Sequence, residues 1–274
     1  MALSTFADGR LWGERFGSGP PWALALHGWG RDHRDFAPVL DGLDAIALDL
    51  PGFGLSPGPP AAWSSDDYAR DLVPVLGELW DGPLVVVGHS FGARVAVRLA
   101  ALGAGPGLGP GLGAGAASRI SALVLAGAPL APPPGRAAPR PALAFRAGRA
   151  LYRAGLVPER RMEALRNKYG SEDYREARGA LRGVLVGAVA ETAAGAYARP
   201  LAGWLATGGR TLELVWGERD EVASLEGARA ALAGRSQVEA KVTVVPGAGH
   251  LITKDLAGQL RDALLRHAPS RLER

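Results

Sequence analysis

The sequence predicts an α/β fold, in which a mostly parallel central sheet is flanked by helices and a helical segment is inserted into the chain. Short apolar runs recur along the 274 residues, helix-length segments separate them, and one longer stretch interrupts the alternation. Parallel strands are buried on both faces, so they read as continuous apolar runs. Strands that alternate with helices indicate the crossover connections that a parallel sheet needs.

The elements follow in order. Residues 2–16 are expected to supply two antiparallel strands. Buried strands are then predicted at Trp22–Leu26, Ala45–Leu48, Leu84–Val87, Ala122–Ala126, Leu212–Trp216 and Val242–Val245. Helices are predicted at Ser64–Leu79, Phe91–Leu102, Val222–Leu232 and Leu256–His267. Gly103–Gly115 is rich in glycine and proline and is predicted to be a flexible loop, because it lacks the lysine and the Ser/Thr of a phosphate-binding loop.

The stretch Ala131–Pro200 interrupts the alternation. It opens with a proline-rich linker, and helices are predicted at 142–154, 159–168 and 172–191, the last capped by Ser171. We therefore expect residues 1–130 and 201–274 to form the core and residues 131–200 a helical cap. The cap carries 13 basic and 6 acidic side chains, which we interpret as a solvated, arginine-rich surface rather than an anion site.

Composition excludes several classes of site and partner. The chain has no cysteine, which rules out disulfides, thiolate metal sites and a cysteine nucleophile. Its five histidines are scattered, so neither a metal nor another cofactor is expected. No apolar run of about 18 residues and no leader pattern is present, so we expect a cytoplasmic protein without a membrane partner. No nucleic-acid-binding motif is found, and the oligomeric state stays open.

The segment Gly88–Gly92 fits the pattern G-x-S-x-G, in which a sharp strand-to-helix turn presents a serine hydroxyl. A second match to the pattern is centred on Ser56, so the choice between the two serines depends on the residues before and after each of them. Ser90 follows a predicted strand and opens a helix-competent segment, whereas Ser56 precedes a run of prolines that cannot continue a helix. The sequence therefore predicts Ser90 as a nucleophile.

A serine needs a base, and the base needs a partner that orients it. His250 lies just beyond the last predicted strand, and Asp220 follows the strand before it. Glu218 and Glu221 are neighbours of Asp220, so the sequence places the acidic partner of His250 at Asp220 or within two residues of it. The carboxyl ends of parallel strands meet at one edge of a sheet, which is where sites of α/β proteins gather.

The developing oxyanion needs two donors. The residue after the nucleophile supplies one backbone N–H, that of Phe91. The segment Leu26–Gly30 follows the first buried strand, and its glycines let the backbone turn close to the site. We expect the backbone N–H of Trp29 to be the second donor.

These motifs together resemble the α/β-hydrolase superfamily, in its single-domain branch with a helical cap. The matching segments are LHGWG, DLPGFG, GHSFG, WGERD and GAGH, in family order over residues 24–250. The resemblance implies a triad of Ser90, Asp220 and His250, a structural role for Asp49, and a cap that shapes the pocket. Dehalogenases and epoxide hydrolases of this fold carry aspartate at the nucleophile position, so the serine argues against both.

The leading expectation is hydrolysis of an ester or thioester of a small molecule. The alternative is a C–C hydrolase or lyase that acts on a carboxylated substrate. The menaquinone-pathway lyase of this superfamily carries an arginine at the spacing of Arg94, which would bind that anion. His89 is a further candidate for substrate binding. The third hypothesis is that the chain is a non-catalytic binding protein with a hydrolase fold.

Overall fold

A computed structural model describes residues 2–104, 112–135, 143–233 and 240–269. Within these ranges eight strands form one sheet in the order β1-β2-β4-β3-β5-β6-β7-β8. The strands are β1 (Ala2–Phe6), β2 (Leu11–Phe16), β3 (Ala23–Leu26), β4 (Ala45–Leu48), β5 (Leu84–His89), β6 (Ile120–Ala126), β7 (Thr211–Gly217) and β8 (Ala240–Val245). β1 pairs with β2, and β2 with β4, antiparallel, and the other pairs are parallel. The predicted fold class is confirmed.

Helices cover both faces of the sheet. A single 3-10 turn (His33–Phe36) precedes the first of them. The helices are α1 (Ala37–Leu40), α2 (Ser65–Leu76), α3 (Phe91–Leu102), α4 (Leu112–Ala117), α5 (Leu143–Arg153), α6 (Glu159–Tyr169), α7 (Glu172–Glu176), α8 (Ala180–Ala193), α9 (Ala198–Leu205), α10 (Leu225–Leu232) and α11 (Lys254–Leu265). Alternate strand residues point to the two faces, which is why the core divides into two clusters. One cluster joins the sheet to α2, α3, α9 and α10, and the other joins it to α1 and α11.

Three expectations about elements need correction. Leu112–Ala117 is a helix although it was expected to lie in a loop, and the segment before it, 105–111, lies outside the described residues. The helix expected over 172–191 is two helices, because the backbone turns at Gly179, where φ is +53°. β8 is an edge strand rather than a buried one, since Val244 is exposed on it.

Helix α2 begins where the chain supplies its own cap. The Ser64 side chain accepts from the backbone N–H of Asp67, and the Asp67 carboxylate accepts from the backbone N–H of Ser64. This reciprocal pair satisfies amides that a helix start leaves without partners. The predicted helix at Ser64–Leu79 is therefore present as Ser65–Leu76, and it ends earlier because Gly77 follows.

Helices α5 to α9 lie between β6 and β7 in the chain. Ser171 caps α7, with its Oγ accepting from the backbone N–H of Tyr174. Of the proline-rich linker at residues 131–141, residues 131–135 are described and residues 136–141 lie outside the described part of the chain. The division into a core and a cap at residues 131–200 stays a prediction. No helix in the described ranges is both long and apolar enough to span a membrane.

Candidate active site

Ser90 lies at the turn between β5 and α3. Its backbone has φ +51° and ψ −108°, a region that non-glycine residues seldom adopt and that costs on the order of 1–3 kcal/mol. Two contacts hold the turn: the Ser90 N–H donates to the Ala126 carbonyl at 2.9 Å, and the Gly92 N–H donates to the His27 carbonyl at 3.0 Å. Glycine is required at 92, because a Cβ there would lie 2.1 Å from the Leu26 carbonyl oxygen.

The structure brings together the three side chains expected to act as a triad. His250 Nε2 lies 3.0 Å from Ser90 Oγ, and His250 Nδ1 lies 2.8 Å from Asp220 Oδ2. The histidine therefore holds its proton on Nδ1 and accepts from the serine hydroxyl on Nε2. Of the neighbouring acids, Glu218 is used elsewhere, since its Oε2 accepts from the Gly247 N–H at 2.9 Å.

The Asp220 carboxylate is buried but fully partnered. Its Oδ1 accepts from the backbone N–H groups of Val222 and Ala223, at 2.9 and 2.8 Å. Burial by itself would raise the pKa of Asp220, but the hydrogen bonds from His250 and from these amides outweigh it and lower the pKa. The carboxylate is therefore ionised at neutral pH and is suited to orient His250 and to stabilise its charged form.

The two expected oxyanion donors lie on segments that flank Ser90. Trp29 follows β3 and Phe91 opens α3, and their rings contact edge to face with centroids 5.4 Å apart. Among the described residues neither backbone N–H donates to a protein acceptor. Two backbone N–H groups without a partner in the described ranges, on segments that flank the candidate nucleophile, are available to a negatively charged oxygen.

His89 packs against His250, with ring centroids 4.9 Å apart. Its side chain is buried, and its Nε2 donates to the His250 carbonyl at 2.8 Å. Burial, with a contribution from the nearby His250, lowers the pKa of His89 to about 4, so the ring is neutral at pH 7. Its Nδ1 has no hydrogen-bond partner among the described residues. This position is suited to supporting the loop that carries His250 and does not suit the expected contact with substrate.

Arg94, one turn beyond Ser90 on α3, lines a cavity. The cavity measures about 1090 Å³ and is bounded by the segments after β6 and β7 and by α8, with Pro129, Trp216, Asp220 and Thr192 among its walls. Asp220 is the member of the candidate triad that lines it. The Arg94 side chain is buried, and within the described residues its Nε has no partner and it makes no ion pair. Burial lowers its pKa, and nearby Tyr197 and Glu191 oppose that effect.

Gly127, directly after β6, is a part of the site that the sequence did not single out. Its φ is +50°, and a Cβ on it would lie 2.9 Å from His250 Nδ1 and 3.1 Å from Asp220 Oδ2. The available signal was its place at the carboxyl end of a strand, next to the strand that carries Ser90.

Asp49 holds a turn together. Its carboxylate accepts from the backbone N–H groups of His33 and Leu55 and lies 2.7 Å from the His33 ring nitrogen. Asp32, His33 and Asp49 are close enough to ligate one metal ion, but the Asp49 oxygens are already committed to these donors. Ser56, the rejected nucleophile, is also structural: its Oγ donates to the Asp49 carbonyl at 2.6 Å.

Comparison with known proteins gives a family match over most of the chain. Residues 23–263 match the model of the alpha/beta hydrolase family. A stretch of 92 residues, 32% of this chain and 35% of the relative, is 44% identical to lipase LipV of Mycobacterium tuberculosis. A stretch of 89 residues, 31% of this chain and 32% of the relative, is 38% identical to the 2-(acetamidomethylene)succinate hydrolase of Mesorhizobium japonicum.

The thioesterase domain from the curacin biosynthetic pathway has a similar fold, with a TM-score of 0.61 at 21% identity over 96% of this chain and 98% of that one. The match extends over nearly the full length of both chains, whereas the stretches matched in the two curated relatives cover about a third of each relative. At this level of identity the likeness concerns the fold.

Proposed function

This chain belongs to the alpha/beta hydrolase family, and we propose that it is a serine hydrolase that cleaves a carboxylic ester or thioester of a small molecule through an acyl-enzyme on Ser90. The observation that carries the proposal is the chain of hydrogen bonds from Ser90 Oγ to His250 Nε2 and from His250 Nδ1 to Asp220. Such a chain removes the proton from a hydroxyl that is otherwise a weak nucleophile. The lipase name of one relative agrees with ester chemistry.

In the first half of the proposed reaction, Ser90 Oγ attacks the substrate carbonyl carbon while its proton moves to His250 Nε2. The carbonyl oxygen becomes an oxyanion, which the backbone N–H groups of Trp29 and Phe91 stabilise. His250 then gives the proton to the departing alcohol or thiol, and the acyl group stays on Ser90. In the second half, water attacks the acyl carbon, His250 takes the water's proton, and the acid leaves as Ser90 regains a proton from His250.

Labelling with a fluorophosphonate tests the nucleophile. We expect the wild type to be labelled and to hydrolyse a short nitrophenyl ester, and Ser90→Ala to lose the label and about a thousandfold or more of the activity. Ser56→Ala is the matched control, since Ser56 lies in the second G-x-S-x-G match and its hydroxyl is hydrogen-bonded to the backbone of Asp49 and Trp12. Label retained by folded Ser90→Ala would contradict the proposal. The absence of turnover in the wild type would favour a binding role.

A second candidate is a C–C hydrolase or lyase, or an esterase, whose substrate carries a carboxylate. Arg94 supports it, because its buried guanidinium forms no ion pair with any described residue and therefore has donors available to bind an anion. The oxygens of nearby Glu191 already accept from Ser65 and Tyr197. The relative named for a succinate derivative agrees with an acidic substrate.

Replacement of Arg94 separates the two substrate classes. We expect Arg94→Met to raise KM for a nitrophenyl half-ester of a dicarboxylic acid about tenfold to a hundredfold, the cost of one charged hydrogen bond. Hydrolysis of neutral nitrophenyl acetate should be unchanged. Arg98→Met is the control, because Arg98 lies one turn later on α3 and pairs with Asp66. Equal losses on both esters in Arg94→Met would contradict an anion-binding role.

A further inference from the structure

We propose that the basic helix pair, defined here as α5 and α6 (residues 143–169), is a docking surface for an anionic lipid bilayer. The pair carries seven basic and two acidic side chains, a net charge of +5 within 27 residues. This proposal does not depend on the reaction at Ser90, since its readout is binding rather than turnover.

One face of α5 is used for packing within the protein. Phe145, Gly148 and Tyr152 recur at spacings of three and four, so they lie on one side of the helix. Gly148 lies against Leu165 of α6, and the Tyr152 ring lies 5.6 Å from the guanidinium of Arg166. This face accounts for how α5 is held, and leaves its other faces free.

A second face of α5 is apolar and exposed. Leu143, Ala147 and Leu151 are spaced four residues apart, which aligns them along the helix. Leu143 is 78% exposed and Leu151 is 44% exposed, and Leu156, just beyond the helix, is 72% exposed. Scattered exposed leucines are common, but an aligned apolar stripe beside a cationic row is typical of an interaction surface.

A third face of α5 is a row of arginines beside the leucines. Arg146, Arg149 and Arg153 lie at spacings of three and four. Within the described residues none of them forms an ion pair, and neither do Arg160 and Arg161 at the start of α6.

The two acids of the pair are unavailable to this row. Glu159 pairs with Arg166, and Glu163 pairs with both Arg166 and Arg182. The positive charge of the row is therefore uncompensated by the pair itself, and its natural complement is a surface of negative charge.

A bilayer that contains anionic lipids matches both free faces of α5 together. The leucines can enter the boundary between headgroups and acyl chains while the arginines contact headgroup phosphates. Nucleic acid would use the arginines but leave the leucines in water. The sequence predicts no membrane partner because no apolar run is long enough to span a bilayer, but a surface contact needs no span.

The pair is joined to the wall of the cavity. Arg182 of α8 lies 3.2 Å from Glu163 of α6, and α8 contributes Val189 and Thr192 to the cavity beside Asp220. A bilayer that binds α5 and α6 would therefore hold the helix that lines the cavity close to the lipid surface.

Co-sedimentation with vesicles tests the proposal. We expect the full chain to bind vesicles of phosphatidylcholine mixed with phosphatidylglycerol, and not vesicles of phosphatidylcholine alone. Raising the salt to about 1 M should weaken binding strongly, because it shortens the screening length to about 3 Å. Arg146→Glu/Arg149→Glu/Arg153→Glu should lose at least about tenfold in vesicle affinity, and Leu143→Ser/Leu151→Ser/Leu156→Ser should lose binding even at low salt.

Matched controls keep the result interpretable. Arg229→Glu/Leu265→Ser changes an exposed arginine and an exposed leucine elsewhere and should bind like the wild type. Circular dichroism and thermal midpoints should show that every variant is folded. Binding that survives the arginine variant, or equal binding to both kinds of vesicle, would overturn the proposal. The proposal would also be overturned if the wild type failed to bind vesicles but was retained on immobilised polyglutamate, and the arginine variant was not retained. That result would indicate an acidic protein partner.

Discussion

At the scale of single residues, the candidate site depends on Gly127, which has no side chain and so leaves room for the His250 ring and the Asp220 carboxylate. A Cβ at this position would lie 2.9 Å from His250 Nδ1 and 3.1 Å from Asp220 Oδ2, so the imidazole ring would have to shift. The glycine also adopts φ +50°, which L-residues with a Cβ avoid. Crowding and backbone conformation therefore both make a side chain at this position unfavourable.

Gly127→Ala should lower kcat about tenfold to a hundredfold with little change in KM, because it displaces the imidazole that must meet Ser90 Oγ. Gly208→Ala is the matched control: φ is +78° there, and no atom lies within 4 Å of the added carbon. Both variants should lose about 1 kcal/mol or more in free energy of unfolding from backbone strain. Steady-state kinetics and denaturant titration check the pair, and equal activity in both would contradict this role of Gly127.

At the scale of elements, one carboxylate ties α8 to the sheet-covering helices. Glu191 accepts from Ser65 Oγ at 2.6 Å, at the first turn of α2, and from the Tyr197 hydroxyl at 2.5 Å. A carboxylate at a helix N-terminus also gains from the helix dipole. This attachment positions the end of α8 that supplies Thr192 to the cavity.

Glu191→Ala should lower the free energy of unfolding by about 1–3 kcal/mol, because it leaves the buried hydroxyls of Ser65 and Tyr197 without their acceptor. We also expect KM for esters to rise, since α8 would be held less firmly at the cavity wall. Glu176→Ala, on the exposed part of α7, is the control and should change neither quantity. If chemical denaturation gave the same free energy of unfolding for both variants, the hydrogen bonds of Glu191 would not contribute to stability.

At the scale of the whole molecule, two buried histidines make the fold sensitive to acid. Burial lowers the pKa of His27, whose Nε2 accepts from the Leu50 backbone N–H at 2.9 Å, and burial lowers the pKa of His89 to about 4. Both rings are neutral in the folded protein at pH 7. An unfolded histidine takes up its proton near pH 6.5.

The free energy of unfolding should therefore be highest above about pH 6.5 and should fall as the pH decreases toward 4. In this range the two histidines are protonated in the unfolded chain but stay neutral in the folded chain. His89→Gln removes one of these groups and keeps an amide donor for the His250 carbonyl. Between pH 6.5 and 4, the free energy of unfolding of this variant should depend less steeply on pH than that of the wild type. Urea denaturation at several pH values measures both slopes. Identical slopes would rule out a contribution from His89.

Local patterns were sufficient for much of the architecture. Continuous apolar runs such as Ala122–Ala126 predicted buried parallel strands, because both faces of such strands pack against helices. The choice of Ser90 over Ser56 also needed only neighbouring residues, since a helix can follow one serine and not the other. The helix break at Gly179 was missed, because the apolar spacing continues across it while the backbone does not.

The sequence by itself determined the order of the strands along the chain, the serine that opens a helix after a strand, and the set of acidic and basic residues beyond the last two strands. Those features depend on residues close together in the chain. Only the tertiary structure decided which carboxylate lies beside His250, why His89 is buried while Arg94 lines a cavity, and which face of α5 stays uncovered. Each of these depends on contacts between residues far apart in sequence, whose distances follow from the packing of the whole sheet and its helices.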